Sequence, residues 1–510
     1  MNGIVPLGYL YLVQRYSLNV CDLFCQSFAT DRATKSVVRN GNTVKTYYPV
    51  SRYRLDDSWG GQISFALRYE GVNVEVLRAF FNSVMPDDMA KFILAHPLGG
   101  VQRRTWFLYE YLTGKRLDIP DGKGGGYAPL VDDSLQYSLP ISAASKERRY
   151  HILNNLIGNS VFSPFVRKTD QMAMGSSEQL RAEANSILEQ YSPELLYRAI
   201  QYLYVKETKS SFAIERETPD QRRMGAFVSI LQNMGDAMIT AESLVEVQNS
   251  IVDARYRQQN WRSDQVYVGE TLAPGSEKIH YVAPRPDAVA NLMDGFLNCL
   301  RRWMDAEGCD PVVIAAVMGF AFVFIHPFDD GNGRVHRFII HAVLSQLGFI
   351  PHGLILPVSA VMLKHPLEYD KALESFSRRL LPMLDYEVGI NGEITVRNDS
   401  RDLYRAIDYT PIVEYFQQVV AQTIRTEWKA ELDYLQRYDR MRAEMRMIVD
   451  MPDKSANRFI AFVQQNGGRL SKAKREWFSE LTDEEVTRLE EAVRNNTAPN
   501  ESELAPGGKQ

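Results

Sequence analysis

At 510 residues the chain is too long for one simple core and suits two to four packed units. Its 45% hydrophobic and 24% charged residues are ordinary for a soluble globular protein, and a net charge of −5 gives no general attraction for nucleic acid or anionic membranes. Four cysteines (Cys21, Cys25, Cys299 and Cys309) are too few for a disulfide framework and read as free thiols in a reducing compartment.

In chain order, the N-terminal stretch MNGIVPLGYLYLVQRYSLNV has no basic lead and Arg15 interrupts its apolar run, so neither an export signal nor an anchor is expected and the protein reads as cytoplasmic. Residues 1–185 give mixed signals. Tyr47 to Leu67 holds short alternating or aromatic stretches, while Val74, Leu77, Phe81 and Val84 repeat at helical spacing until Pro86. Asp121-Gly-Lys-Gly-Gly-Gly-Tyr127 is read as a flexible connection. Its Gly-Lys pair lacks the following Ser or Thr of a phosphate-binding loop.

From Ser176 onward the pattern is almost continuously helical. Helices are expected at Ser177–Tyr191, Pro193–Lys206, Gln221–Met234, Pro286–Asp305, Pro311–Ile325, Asn332–Leu347 and Glu368–Leu381, three of them opened by a proline. Gln265–Val268 and Ile279–Val282 are β-rich and flank a Gly- and Pro-containing loop, a hairpin signal. The apolar run Pro311–Ile325 is shorter than the roughly 20 residues of a membrane span and reads as a buried central helix. Further helices are expected over 386–494, including a charged one at Thr426–Met447, and a polar, disordered tail over 495–510. The basic stretch Arg469–Arg475 raises a winged-helix reading, which the acidic neighbours Glu476, Glu480, Glu484 and Glu485 oppose; nucleic acid is not an expected partner.

The strongest local signal is His326-Pro-Phe-Asp-Asp-Gly-Asn-Gly-Arg-Val-His-Arg337. Pro327 forbids the apolar helix to continue, which holds His326 at its rigid end. Gly331 and Gly333 allow a tight backbone course exposing N–H groups, and a new helix starting near Asn332 aims its first-turn donors and positive dipole end at the same place. Arg334 and Arg337, at i and i+3, repel unless an anion such as a phosphate chain lies between them. Asp330 supplies a hard oxygen suited to Mg²⁺ beside phosphates. His336 and His341 fall within the new helix at a spacing poor for sharing a ligand and are read as packing or surface residues.

HPFDDGNGRVHR resembles the HPFx(D/E)GNGRxxR signature of Fic-domain proteins at every specified position, and QVYVG (265–269) with IHYVAPRPD (279–287) resembles that family's flap hairpin. The resemblance implies a mainly α fold: a Fic/Doc helical core over 186–385 with a β-hairpin flap at 265–282, plus helical or mixed extensions at both ends. It also implies transfer of AMP from ATP to a Ser, Thr or Tyr hydroxyl of a protein target, or of the protein itself. Residue by residue, His326 would be the general base, Asp330 the Mg²⁺ ligand, and Asn332 with the Gly331 and Gly333 amides the phosphate holders. Arg334 would grip the α/β-phosphates and Arg337 the γ-phosphate. Gly333 stands where a related branch that phosphorylates its target carries Lys.

Tyr369 with Leu373 resembles the helix lining the adenine pocket, though Asp370 and Ser377 depart from the family pattern there, leaving other nucleotide donors open. Val266, Tyr267 and Val268 would dock the target segment, and His280 on the same hairpin is read as exposed. Upstream, Ser211 and Glu215 resemble the inhibitory pattern (S/T)xxxE, whose glutamate pairs with the second motif arginine, here Arg337; Arg216 stands where Gly or Asn is expected. The same glutamate could position a water for AMP removal, and a non-catalytic nucleotide- or DNA-binding regulator is the alternative of a different class. A homo-oligomer is compatible with all of these.

Overall fold

The computed structural model describes residues 5–497 except 42, 54–55, 124, 236–237, 274–275 and 390–391. The fold is mainly α. Two compact units are present: Met1–Glu183 with Tyr204–Thr423, and Ala184–Leu203 with Ile424–Gln510.

In the first unit the N-terminal residues build more structure than their sequence signals. Val5–Leu7, Cys25–Thr30, Thr43–Pro49 and Ser36–Asn40 form a four-stranded sheet in that spatial order; the two central strands run parallel and the outer pairs antiparallel. The aromatic stretch after Tyr47 divides into the end of a strand and a helix, Trp59–Tyr69, which Ser58 caps by accepting from the Gly61 N–H at 3.1 Å. The expected helix at Val74 ends at Ser83, and Pro86 begins a further helix, Pro86–Ala95, at its first position. These helices and Gly100–Thr113 bury Ile63, Leu77, Phe80, Phe81, Trp106 and Tyr109 in one apolar cluster. The Asp121–Tyr127 connection includes residue 124, outside the described residues. All four cysteines are free thiols, Cys21 and Cys299 buried and Cys25 and Cys309 partly so.

The later helices fall close to expectation: Ser177–Leu188, Gln221–Gln232, Pro286–Met304, Pro311–Ile325, Asn332–Gln346 and Pro366–Leu380. Pro193–Ile214 continues two turns beyond Lys206, carrying Ser211 on its last turn. Ala241–Ile251, Val358–Lys364 and Thr410–Gln422 are additional helices. Pro311–Ile325 is the centre of this half: the Asp310 carboxylate accepts from the Val312 and Val313 N–H groups at 3.0 Å each, and every residue but Val323 is buried. An all-round apolar helix demands packing on every side, which this one finds within the unit. Among the described residues no helix is long and apolar enough to cross a membrane.

The second unit is helical throughout its described residues, with Met445, Phe459, Val463, Phe478, Leu489 and Val493 at its centre. The charged helix runs Lys429–Ile448 and follows a wider π-helical stretch, Thr423–Trp428. No strand occurs among these residues, so they hold no β wing of the kind a winged helix requires. Arg475 of the basic stretch is paired with Asp483 at 3.0 Å. Helix Asp483–Asn496 carries order into the expected tail, of which 498–510 lie outside the described residues.

Candidate active site

His326 ends the apolar helix in the left-handed conformation, φ 50° and ψ 58°, with its N–H still bonded to Phe322 O at 2.9 Å. This is a strained conformation for a residue other than glycine and is held from several sides. The ring Nδ1 lies 3.1 Å from Val323 O. A carbonyl there can only accept, so Nδ1 carries the proton and Nε2 keeps its lone pair. Burial and the neighbouring Arg262 charge push the His326 pKa down to about 4, so the ring is neutral at pH 7.

Arg262 is the residue that sequence reasoning missed most plainly. It is buried, and its guanidinium donates to three carbonyls: His326 O at 2.7 Å, Pro284 O at 2.6 Å and Asp264 O at 2.5 Å. Its own N–H donates to Pro327 O at 2.8 Å. One side chain thus ties the histidine turn to the segments entering and leaving the flap.

The loop after His326 is shaped by Asn332. Its Oδ1 accepts from the Phe328 N–H at 3.0 Å and its Nδ2 donates to Phe328 O at 2.7 Å, so the side chain expected on phosphates is engaged inside the loop. Gly331 opens the next helix at φ 90°, a conformation only glycine adopts without strain. Its N–H, also expected on phosphates, meets Asp330 Oδ1 at 2.6 Å. The amides of Asn332 and Gly333 belong to the first turn, where no helical carbonyl is in reach. A Cβ at Gly333 would overlap the Glu215 carboxylate, so the absence of a side chain there is what admits Glu215.

Both motif arginines are buried, 1% and 0% exposed, and both face carboxylates. Arg337 Nη2 contacts Glu215 Oε1 at 2.6 Å and Ser211 O at 2.9 Å, and its Nε donates to Ser211 Oγ at 2.7 Å. Arg334 contacts Glu217 through both terminal nitrogens, at 2.8 and 3.1 Å, and Asp330 Oδ1 at 3.0 Å. The expected residues Ser211, Glu215, Asp330, Gly333, Arg334 and Arg337 are therefore gathered in one place. Glu217 and Arg223, unremarked in the sequence, stand with them. Arg216 closes the upstream helix at φ 57°, with the Arg216 and Glu217 N–H groups bonded to Ala213 O and Phe212 O at 3.0 and 3.1 Å. This turn normally takes a glycine, which gives the physical meaning of the Gly or Asn expected at that position.

Tyr369 is buried beside Arg337, near Phe320 and Tyr415, and burial raises its phenol to about 12. The flap strands are Tyr267–Ala273 and Ser276–Val282, longer than expected, with Tyr267 opposite Val282 and Val268 opposite Tyr281. Residues 274–275 at its tip lie outside the described residues. Val266 O accepts from the Ala283 N–H at 3.1 Å, Val268 is 44% exposed, and the strand's outer edge has no strand partner among the described residues. The Tyr281 hydroxyl donates to Phe324 O, anchoring the hairpin on the last turn of the apolar helix. His280 is only partly exposed and lies 3.6 Å from Glu270. His336 and His341 are buried, the second 2.8 Å from the buried Glu207, so neither faces solvent.

Among the described residues no group of three or more His, Cys, Asp or Glu side chains could hold a metal unaided. Asp330, partly exposed at the mouth of the turn, fits the other kind of site: Mg²⁺ bound by one carboxylate together with phosphate oxygens and water.

Residues 238–344 match the family model described as the Fic/DOC family. A protein adenylyltransferase Fic of Nematostella vectensis is 27% identical over 217 residues, covering 37% of this chain and 48% of that protein. One of the same name from Drosophila melanogaster is 36% identical over 100 residues, covering 19% and 17%. The chain thus spans less than half the length of these relatives. Among solved structures, a Fic family protein from Desulfovibrio desulfuricans aligns at 19% identity and a TM-score of 0.36, covering 64% of this chain and 88% of that one. A Fic domain containing signaling protein from Bacteroides thetaiotaomicron aligns at 20% identity and a TM-score of 0.37, covering 50% and 96%. Residues 238–344 carry a domain of the Fic/DOC family.

Proposed function

We propose that the chain is a protein adenylyltransferase, moving AMP from ATP to a Ser, Thr or Tyr hydroxyl of a protein, and that Glu215 suppresses it. The observation that carries this reading is the contact of His326 Nδ1 with Val323 O, which leaves the Nε2 lone pair available at the end of one helix while two buried guanidiniums stand on the helix that follows. Buried arginines without phosphate need carboxylates, and Glu215, Glu217 and Asp330 meet that need here.

In the reaction the target's hydroxyl oxygen bonds to the α-phosphorus while the α–β bridging P–O bond breaks and diphosphate leaves. His326 Nε2 takes the hydroxyl proton. The amides of Asn332 and Gly333 and the guanidiniums of Arg334 and Arg337 hold the phosphates, which is most of what phosphoryl-group chemistry asks of a protein. Mg²⁺ on Asp330 would neutralise phosphate charge. Tyr369 would flank the base, and the open edge at Val266, Tyr267 and Val268 would add a strand of the target, presenting its hydroxyl to His326. Glu215 on Arg337 occupies the guanidinium that the γ-phosphate requires.

The test is incubation of the Glu215→Gly protein with ATP and Mg²⁺, with and without His326→Ala. The reading expects AMP on protein in the first and none in the second. AMP attached equally in both overturns it.

A further inference from the structure

Arg223 has no role in the reaction described above, and Glu217 enters it only as a carboxylate facing Arg334. Glu217 follows the strained Arg216 turn, and its carboxylate sits between two guanidiniums: Arg334 at 2.8 and 3.1 Å, and Arg223 Nη2 at 2.5 Å. Two positive groups converging on one pair of oxygens make an anion slot. The slot does not depend on its present occupant. Ile251 O, at the carbonyl end of helix Ala241–Ile251, accepts from Arg223 Nε at 3.0 Å, Arg223 Nη2 at 2.8 Å and Arg334 Nη1 at 3.0 Å. That carbonyl carries the negative end of the helix dipole and is a fitting anchor for guanidinium groups. The Phe212 ring lies 5.3 Å from the Arg223 Cζ and 5.2 Å from the Arg334 Cζ, a second hold on both.

We infer that Arg223 is a further phosphate-binding residue of the nucleotide site, and that Glu217 occupies the slot in place of the phosphate that Arg223 and Arg334 take together. The inference rests on the nucleotide-transferase reading and names a part of its site. With Glu217 and Asp330 in place the four charged groups sum to zero. Moving Glu217 out leaves one net positive charge, which attracts a phosphate group of a di- or triphosphate. Glu217 is 30% exposed on its side chain and follows the end of a helix, so it can leave without unfolding an element.

The experiment is calorimetric binding of ADP, ATP and adenosine to the full chain. The variants are Glu217→Gln, Arg223→Gln and the pair together, all in a Glu215→Gly background. Glu217→Gln keeps the shape and removes the charge. It is expected to tighten ADP and ATP about tenfold and to leave adenosine unchanged. Arg223→Gln is expected to weaken ADP and ATP about tenfold, again sparing adenosine, and to cancel the gain from Glu217→Gln. Weaker ADP binding in Glu217→Gln, or ADP and adenosine weakened alike by Arg223→Gln, overturns the slot and makes both residues structural. Where Glu217→Gln does not fold, Arg223→Gln decides alone by its ADP-to-adenosine ratio. Absence of ATP binding to the Glu215→Gly protein itself overturns the transferase reading instead.

Discussion

Replacing Glu215 by glycine removes one half of a 2.6 Å ion pair whose other half, Arg337, is fully buried. A hydrogen bond between charged groups contributes about 1.5–3 kcal/mol. Glu215 is 34% exposed on its side chain, so water and salt screen the pair and the lower end applies. About 1.5 kcal/mol that a γ-phosphate no longer has to displace corresponds to roughly tenfold in kcat/KM for ATP. Arg337 keeps both contacts to Ser211, so its guanidinium stays where the phosphate needs it. The assay is the initial rate of AMP incorporation at ATP well below saturation, at low and high salt. The gain should shrink as salt weakens the pair in the unmodified protein. An unchanged or lower rate, with the melting temperature and circular dichroism of the parent, would refute the reasoning.

Arg262→Met leaves the carbonyls of His326, Asp264 and Pro284 without their donor, the last of them buried, and should destabilise the first unit by about 2 kcal/mol. By loosening the His326 turn it should also lower kcat on the order of 100-fold in the Glu215→Gly background; a kcat held at the parent value would speak against its positioning role. Arg216→Gly relieves about 1 kcal/mol of left-handed strain in the turn that presents Glu215, so basal transfer should fall by up to about fivefold, and a rise would contradict the turn's part in suppression. Because burial lowers His326 to about 4, the acid limb of the Glu215→Gly rate profile should fall near pH 4, and a limb at the ordinary histidine value near 6.5 would contradict it. The stability sign follows from the same shifts: His326 and His336, lowered to about 4 and about 3, stay neutral while the unfolded chain takes up protons. Thermal stability should therefore decline on acidification below about pH 6.5, and a profile flat from 6.5 to 4 would not fit.

What could be read from the sequence was what is local. His326, Asp330, Gly331, Gly333, Arg334 and Arg337 lie within twelve consecutive positions, and the turn between two helices brings them together whatever surrounds it. Prolines at 286 and 311 mark helix starts because their missing N–H is not needed there. Arg262 escaped notice because its acceptors, 22 and 64 residues away apart from Asp264 O, are backbone carbonyls that leave no pattern in residue types. Glu217 and Arg223 belong to no local pattern in the sequence; only folding sets them beside Arg334, 117 residues from Glu217 in the chain. Arg216 stood out as a departure from a motif, and its positive φ shows what the motif position asks of the backbone. The N-terminal sheet was illegible for a related reason. Its parallel pair, Cys25–Thr30 with Thr43–Pro49, is fixed by partners across the sheet rather than by alternation along one strand.

The central claim is that the α-phosphorus of a nucleotide ends up on a protein hydroxyl beside His326. The most direct measurement compares ATP labelled at the α-phosphorus with ATP labelled at the γ-phosphorus, using the Glu215→Gly protein and Mg²⁺. The account predicts protein-bound label from the first only, and none from either once His326→Ala is added. Label arriving from the γ-phosphorus, or α-label that persists without His326, would contradict it.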